Sequence, residues 1–139
     1  MGYLARAEHS RFGLSLKLER KGFSRDEIAP TLDRLVDNGY LDDVRFAEAW
    51  LRNRSIHQSE GRQKLLAGLL SRGIGSADAK LALDRFFDVT AEVALCRRAA
   101  EKLRRQGKDK GKLRELLMKK GFSGKIIKEI LLQNGENEI

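Results

Sequence analysis

One glycine-centred motif occurs three times in this 139-residue chain, and it limits the fold more than any other feature. The copies read LERKGFSRDEI at 18–28, LLSRGIGSADA at 69–79 and LMKKGFSGKII at 117–127, and they align without gaps. Their central glycines, Gly22, Gly73 and Gly121, are 51 and 48 residues apart, a period typical of helical repeat arrays. The sequence therefore predicts a series of similar units.

Each copy has the features of a helix, a tight turn and a second helix. Leucines at helical spacing lead to a basic residue and then to glycine, which ends a helix in the left-handed conformation with little strain. The next residue is apolar and is expected to pack back on the helix that has just ended, and a serine then caps the following helix. The apolar residues are Phe23, Ile74 and Phe122, and the predicted N-caps are Ser24, Ser76 and Ser123.

The composition favours an all-α fold. Hydrophobic residues make up 41% and charged residues 35%, and the single proline, Pro30, leaves the helices almost uninterrupted. We predict three repeats of three helices over residues 1–40, 41–88 and 89–139, named unit 1, unit 2 and unit 3. The predicted helices lie near 2–8, 11–21, 25–38, 43–57, 60–72, 77–88, 91–106, 109–120 and 124–134.

The run GYLDDVRFAEAW at 39–50 places two adjacent acids in a basic chain. We interpret Asp42 as the N-cap of the helix that follows, and Asp43 as a first-turn acid that favours the positive helix end. A catalytic carboxylate pair is a weaker interpretation, because no third polar partner accompanies the two acids. In the same run Gly39 is expected to end a helix, Tyr40 and Leu41 to be apolar plugs, and Phe46, Ala49 and Trp50 to form a buried stripe.

Few residues have catalytic or metal-binding potential. His9 and His57 have no cysteine or second histidine at ligand spacing, so a metal site is not expected. Cys96 falls on the apolar face of its helix, which favours a buried thiol over a nucleophile. GIGSADAK at 73–80 follows a helix and lacks the P-loop ending, so neither ATP nor another cofactor is expected. No signal peptide or membrane-length apolar run is visible, and we expect a cytoplasmic protein with no membrane partner.

Positive charge is concentrated in the last third of the chain. The net charge is +8, and residues 89–139 hold 13 basic and 7 acidic side chains, a net +6. Many charge runs only keep a protein soluble, but this imbalance favours phosphate binding that is salt-sensitive and tolerant of base sequence. The expected contacts are Arg97, Arg98, Arg104 and Arg105 on one face of the 91–106 helix with Lys102 at its edge, Lys108, Lys110, Lys112 and Arg114 just beyond it, and Arg52, Arg54 and Arg62 in unit 2.

Together these motifs resemble those of the bacterial RecX recombination regulators. The likeness covers essentially the whole chain and rests on GYLDDVRFAEAW followed by Arg52 and Arg54, with LERKGFSRDEI before it and LLSRGI after it. The positions shared with the family motifs are Gly22, Gly39, Tyr40, Leu41, Asp42, Asp43, Arg45, Phe46, Gly73 and Gly121. Gly13 and Gly68 depart from the pattern, because they stand where helix formers are expected.

The resemblance implies a specific architecture and function. The architecture is three tandem three-helix repeats in an elongated, curved array. The implied function is that of a non-enzymatic regulator that binds the RecA recombinase filament and inhibits its ATP hydrolysis and strand exchange, with a role in recombination, DNA repair and the SOS response. We expect a monomer that also binds single- or double-stranded DNA without strong sequence preference.

Two other functions stay open at the level of sequence. Two helices joined by Gly-Phe-Ser are also typical of helix-turn-helix DNA readers, so a duplex-binding repressor is the first alternative. Four acids on the helix after Ser24 argue against it, because they would repel DNA phosphates. These acids are Asp26, Glu27, Asp33 and Asp37. A helical scaffold for an acidic protein partner is the second alternative.

Overall fold

The computed structural model describes residues 8–133, and all the regular structure in this range is helical. The helices are α1 (Arg11–Arg20), α2 (Arg25–Asp37), α3 (Asp43–His57), α4 (Arg62–Ser71), α5 (Ser76–Val89), α6 (Glu92–Arg105), α7 (Lys110–Lys119) and α8 (Gly124–Gln133). The predicted all-α fold is confirmed, and these helices agree with the predicted ranges to within two residues at each end. The helix predicted near 2–8 lies outside the described residues except for Glu8.

Side-chain caps begin most of the helices. In each case an oxygen of the cap residue accepts a hydrogen bond from a backbone N–H three residues later, which satisfies a group that the helix itself leaves open. These caps are Ser10, Ser24, Asp42, Asp109 and Ser123. At Ser24 the Glu27 carboxylate also accepts from the Ser24 backbone N–H at 3.0 Å, and this capping box lowers the pKa of Glu27.

The cap predicted at Ser76 is wrong. Helix α5 begins at Ser76 itself, and Gly75 occupies the cap position without a side-chain hydrogen bond. The second copy of the motif reads Gly-Ile-Gly where the other two read Gly-Phe-Ser, so Gly75 is the residue equivalent to Ser24 and Ser123.

The buried side chains form three separate hydrophobic clusters along the chain. The first contains Leu14, Ile28, Leu32 and Leu41; the second contains Ala47, Leu51, Leu65, Leu69, Ile74, Ala79, Ala82 and Leu83; the third contains Leu95, Cys96, Ala99, Ala100, Leu103, Leu113, Leu117, Phe122, Ile127, Ile130 and Leu131. Phe86 and Phe87 pack against both the second and the third cluster, with their rings edge to face. The unit boundaries at 40 and 88 stay predictions, and Leu41 packs into the first cluster.

Five predicted core positions are corrected. Ile74 and Phe122 are buried, but Phe23 is 49% exposed, because no other part of the described chain covers the turn at Gly22. Tyr40 is likewise 49% exposed, and only Leu41 of the predicted plugs at 40–41 is buried. In α3 the fully buried positions are Ala47 and Leu51, whereas the predicted stripe of Phe46, Ala49 and Trp50 is half-buried.

Glycines allow neighbouring units to approach closely. All three motif glycines have positive φ, and a Cβ at Gly22 would meet nothing within 4 Å. A Cβ at Gly73 would lie 2.4 Å from the Cβ of Phe12, and one at Gly121 would lie 2.5 Å from the backbone nitrogen of Lys64. Gly73 and Gly121 therefore serve two purposes, a left-handed turn and a contact with the preceding unit.

Both junctions between units carry the same hydrogen-bond pattern, centred on an arginine at the start of a helix. The Arg11 backbone N–H donates to Asp43 at 2.8 Å, and its guanidinium donates to Asp33 at 2.7 Å. In the next unit the Arg62 backbone N–H donates to Glu92 at 2.9 Å, and its guanidinium donates to Asp84 at 2.6 Å. The second acid of the GYLDD run thus joins α3 to α1, and Glu92 joins α6 to α4 in the same way.

The environment of Trp50 explains the glycine inside α4. The guanidinium carbons of Arg54 and Arg72 lie 5.5 and 4.9 Å from the centre of its ring, within the range of cation–π attraction. A Cβ at Gly68 would lie 2.6 Å from the ring edge, so any other residue there would displace Trp50. Close packing therefore offsets the weak helix propensity of glycine at this position.

Candidate nucleic-acid and filament interface

Helix α6 separates apolar and basic side chains on opposite faces. Its apolar face, from Leu95 to Leu103, lies in the third hydrophobic cluster. Arg98, Lys102 and Arg105, four and three residues apart, are exposed together on another face. Arg97 and Arg104 are half-buried between the two, so the four predicted arginines do not share one exposed face.

Two of the predicted arginines on α6 donate hydrogen bonds to distant parts of the chain. Arg98 donates from Nε to the Ser59 hydroxyl at 2.6 Å and from Nη2 to the Ser55 carbonyl at 2.7 Å. Arg97 donates to the Gln133 side chain at the end of α8, at 2.9 Å. Arg98 therefore links unit 3 to the end of α3 and to the connection that follows it. The two hydrogen bonds fix the Nε–Nη2 edge of its guanidinium.

Two of the three predicted unit 2 arginines are in internal ion pairs. Arg54 binds both carboxylate oxygens of Glu60, at 2.6 and 3.2 Å, and Glu60 is only 2% exposed. This hydrogen bonding raises the pKa of Arg54 above its ordinary value. Arg62 pairs with Asp84 at 2.6 Å, and only Arg52 of the three is exposed. Arg45 of the family motif similarly binds Glu8 at 2.7 Å, which raises its pKa.

The remaining basic side chains surround the start of α7. They are exposed and lie around the cap residue Asp109; they are Lys108, Lys110, Lys112 and Arg114. Of the predicted unit 3 bases, Lys102, Arg105 and those around the start of α7 are exposed, whereas Arg54 and Arg62 of unit 2 are in internal ion pairs.

A recess of about 510 Å³ lies where unit 2 meets unit 3. Its basic lining comes from Arg98, Lys102 and Arg105 of α6 together with Lys120, which follows α7. The end of α3 and the residues after it form the opposite wall, with Ile56, His57, Gln58 and Ser59. Lys120 and this wall could not be predicted from sequence, because only the junction between units brings them next to α6.

The junction itself is held by backbone contact. The Gly61 backbone N–H donates to the Lys120 carbonyl at 2.8 Å, and a Cβ at Gly61 would lie 2.5 Å from the Gly121 carbonyl oxygen. The junction between units 1 and 2 has a similar but longer contact, from the Ser10 hydroxyl to the Arg72 carbonyl at 3.5 Å. The close packing at Gly61 fixes both walls of the recess.

Cys96 is fully buried, and burial raises the pKa of its thiol to about 12. The thiol therefore stays protonated and unreactive at ordinary pH. We expect native Cys96 to react with a disulfide reagent at pH 8 at least about 100-fold more slowly than in urea-unfolded protein. A spectrophotometric thiol assay measures both rates, and rates within about threefold of each other would contradict the burial of this group.

Neither a metal centre nor a membrane span is found in the part of the chain that the structure describes. Residues 8–133 contain no group of three or more His, Cys, Asp or Glu side chains that could hold a metal ion. Among the helices of the same range, none combines the length and the apolar character needed to cross a bilayer.

Comparison with known proteins gives consistent matches. The family models described as RecX, first three-helix domain, and RecX, second three-helix domain, match residues 1–35 and 42–83. The regulatory protein RecX of Treponema pallidum (strain Nichols) is 40% identical over 128 residues, which cover 92% of this chain and 78% of that protein. The regulatory protein RecX of Chromohalobacter salexigens is 31% identical over 137 residues, covering 96% and 89%.

The fold is similar to that of a solved structure. The crystal structure of RecX from Lactobacillus salivarius superposes with a TM-score of 0.81 at 26% identity. The alignment covers 94% of this chain and 88% of that one. The similarity therefore extends over nearly the whole chain.

Proposed function

This chain belongs to the RecX family of regulatory proteins, and from that premise we propose that it binds the RecA filament on DNA and restrains RecA activity. Its effect is to slow ATP hydrolysis and strand exchange without chemistry of its own. The observation that supports this most is the net charge of +6 in residues 89–139, where Lys102, Arg105 and the lysines around the start of α7 are exposed. Such a surface attracts a protein–nucleic-acid complex through its phosphates.

Firm junctions between units suit the chain to this role. The Arg62, Gly61 and Arg98 contacts tie unit 3 to unit 2, and the Arg11 contacts tie unit 2 to unit 1. A helical array held in this way offers an extended surface and needs no deep pocket to bind its target. Bound across neighbouring RecA protomers, it would hold them in one relative orientation and impede the motions that accompany ATP turnover.

The proposal is tested by measuring ATP hydrolysis by RecA on single-stranded DNA while this protein is added. We expect the rate to fall as the protein approaches saturation, and to recover at higher salt as phosphate contacts weaken. An unchanged rate at saturating protein would refute the proposal. Strand exchange measured on the same samples is expected to slow in parallel.

A duplex-binding repressor is the second candidate, and one observation favours it. Helix α8 follows a Gly-Phe-Ser turn and exposes Lys125 and Lys128. In unit 1, however, the equivalent helix α2 exposes Asp26, Glu27 and Asp33, which phosphates would repel. Footprinting on duplex DNA separates the candidates, because a repressor protects a defined site and a filament regulator gives diffuse, salt-sensitive protection.

A further inference from the structure

The recess between units 2 and 3 is lined by positive charge that comes from two separate parts of the chain. Arg98, Lys102 and Arg105 lie along one side, and Lys120 enters from the turn after α7. No carboxylate is among the residues of the described chain that line it. Lys102, Arg105 and Lys120 have no ion-pair partner within residues 8–133, so their charges are available to a ligand.

Hydrogen bonds within the chain hold the two walls of the recess in place without a ligand. The hydrogen bonds from Arg98 to Ser59 and Ser55 fix this guanidinium against the opposite wall. The Lys120 backbone is fixed in turn by the hydrogen bond from Gly61. The Arg98 guanidinium, which these contacts hold in place, therefore loses little conformational entropy when it binds an anion.

The opposite wall adds an apolar contact at the rim. Ile56 is 74% exposed, the most exposed of the large hydrophobic side chains in the described chain, and it stands beside His57 at the end of α3. A single strand can direct its phosphates inward and still turn a sugar or base toward such a side chain, whereas the bases of a duplex are stacked inside it. The combination favours a single strand over a duplex.

We infer that this recess binds the phosphodiester groups of single-stranded nucleic acid, with Ile56 against the sugar or base. The inference rests on the proposed function, because the strand assigned to the recess is the DNA strand inside the RecA filament. It adds a site, because the positive charge of unit 3 alone does not distinguish the recess from the other exposed lysines of this unit.

Two charge-matched triple variants test the site. Lys102→Gln, Arg105→Gln and Lys120→Gln remove three charges from the recess, and Lys119→Gln, Lys125→Gln and Lys128→Gln remove three from exposed positions elsewhere in unit 3. Binding of a fluorescein-labelled oligothymidylate is followed by anisotropy. We expect the recess variant to bind at least about tenfold more weakly than wild type and its salt slope to fall by about 2. The control variant is expected to lose less than about threefold.

Equal losses in the two variants, or no loss in the recess variant, would overturn the inference. Circular dichroism reports whether each variant folds. Because Lys120 is half-buried, the double variant Lys102→Gln with Arg105→Gln replaces the triple one if helical signal is lost, and Lys125→Gln with Lys128→Gln becomes its control. The same comparison of affinities then decides the result.

Two further probes separate the possible sources of phosphate. Inorganic pyrophosphate at matched ionic strength is expected to leave the oligothymidylate bound, and displacement by it would show a site for small phosphates instead. A duplex is expected to lose affinity equally in both variants, and a selective loss in the recess variant would overturn the single-strand assignment. These measurements contain no RecA, so they can fail while RecA inhibition persists, and the reverse is equally possible.

Discussion

Replacing Gly121 with alanine is expected to lower the free energy of unfolding by about 3–5 kcal/mol. Two effects add at this position. The backbone has φ +91, where a Cβ is strained, and that Cβ would lie 2.5 Å from the backbone nitrogen and the Cβ of Lys64. The first turn of α4 cannot move away without breaking the contacts of Gly61 and Arg62, so the strain is not easily relieved.

The matched control is Gly22→Ala. Gly22 has φ +97 in the equivalent turn, but a Cβ there would meet nothing within 4 Å, so only the backbone strain of about 1 kcal/mol is expected. Urea unfolding followed by circular dichroism gives both values. Equal losses of unfolding free energy in the two variants would mean that Gly121 is needed only for the left-handed turn. The contact between units 2 and 3 at this glycine would then not be tight.

The second large effect is expected at Glu60. Glu60→Gln removes the charge from a carboxylate that is 2% exposed and binds Arg54 through both oxygens. We expect a loss of about 2–3 kcal/mol, less than for a fully buried pair because the Arg54 side chain is 31% exposed. The variant leaves the Arg54 guanidinium with one good acceptor in place of two.

Asp84→Asn is the control for this change. It also replaces a carboxylate by an amide in an ion pair with an arginine, but Asp84 is 65% exposed and water can take its place. Exposed pairs contribute little, so a loss of less than about 1 kcal/mol is expected. Urea unfolding measures both, and a Glu60→Gln variant as stable as Asp84→Asn would contradict a structural role for the buried pair.

The helices and their ends could be predicted from sequence, because they depend on neighbouring residues. A glycine that ends a helix and a serine or aspartate that caps the next one act within a few residues, and Ser24, Asp42 and Gly121 lie where the motif placed them. Where the local signal was ambiguous, the prediction failed, as at Ser76. Burial in α3 also failed at Ala49, because packing against α5 decides which face of a helix is covered.

Contacts between units could not be predicted in the same way. Glu92 accepts from the Arg62 backbone across 30 residues, and nothing near either position indicates the pair. The same holds for the recess, because Lys120 and Ile56 lie next to α6 only through the junction between units 2 and 3. Charge composition alone predicted a basic unit 3, but it did not separate Arg54 and Arg62, which are in ion pairs, from Lys102 and Arg105.

The three hydrophobic clusters differ in size, and stability along the chain is uneven for that reason. The first contains 4 buried residues in the described chain and the third contains 11. In a linear array each unit is stabilised by its own core and by its immediate neighbours. From these clusters we expect partial opening to start most readily around α1 and α2 and the amide protons of α6 to α8 to exchange most slowly, which hydrogen-exchange measurements would show.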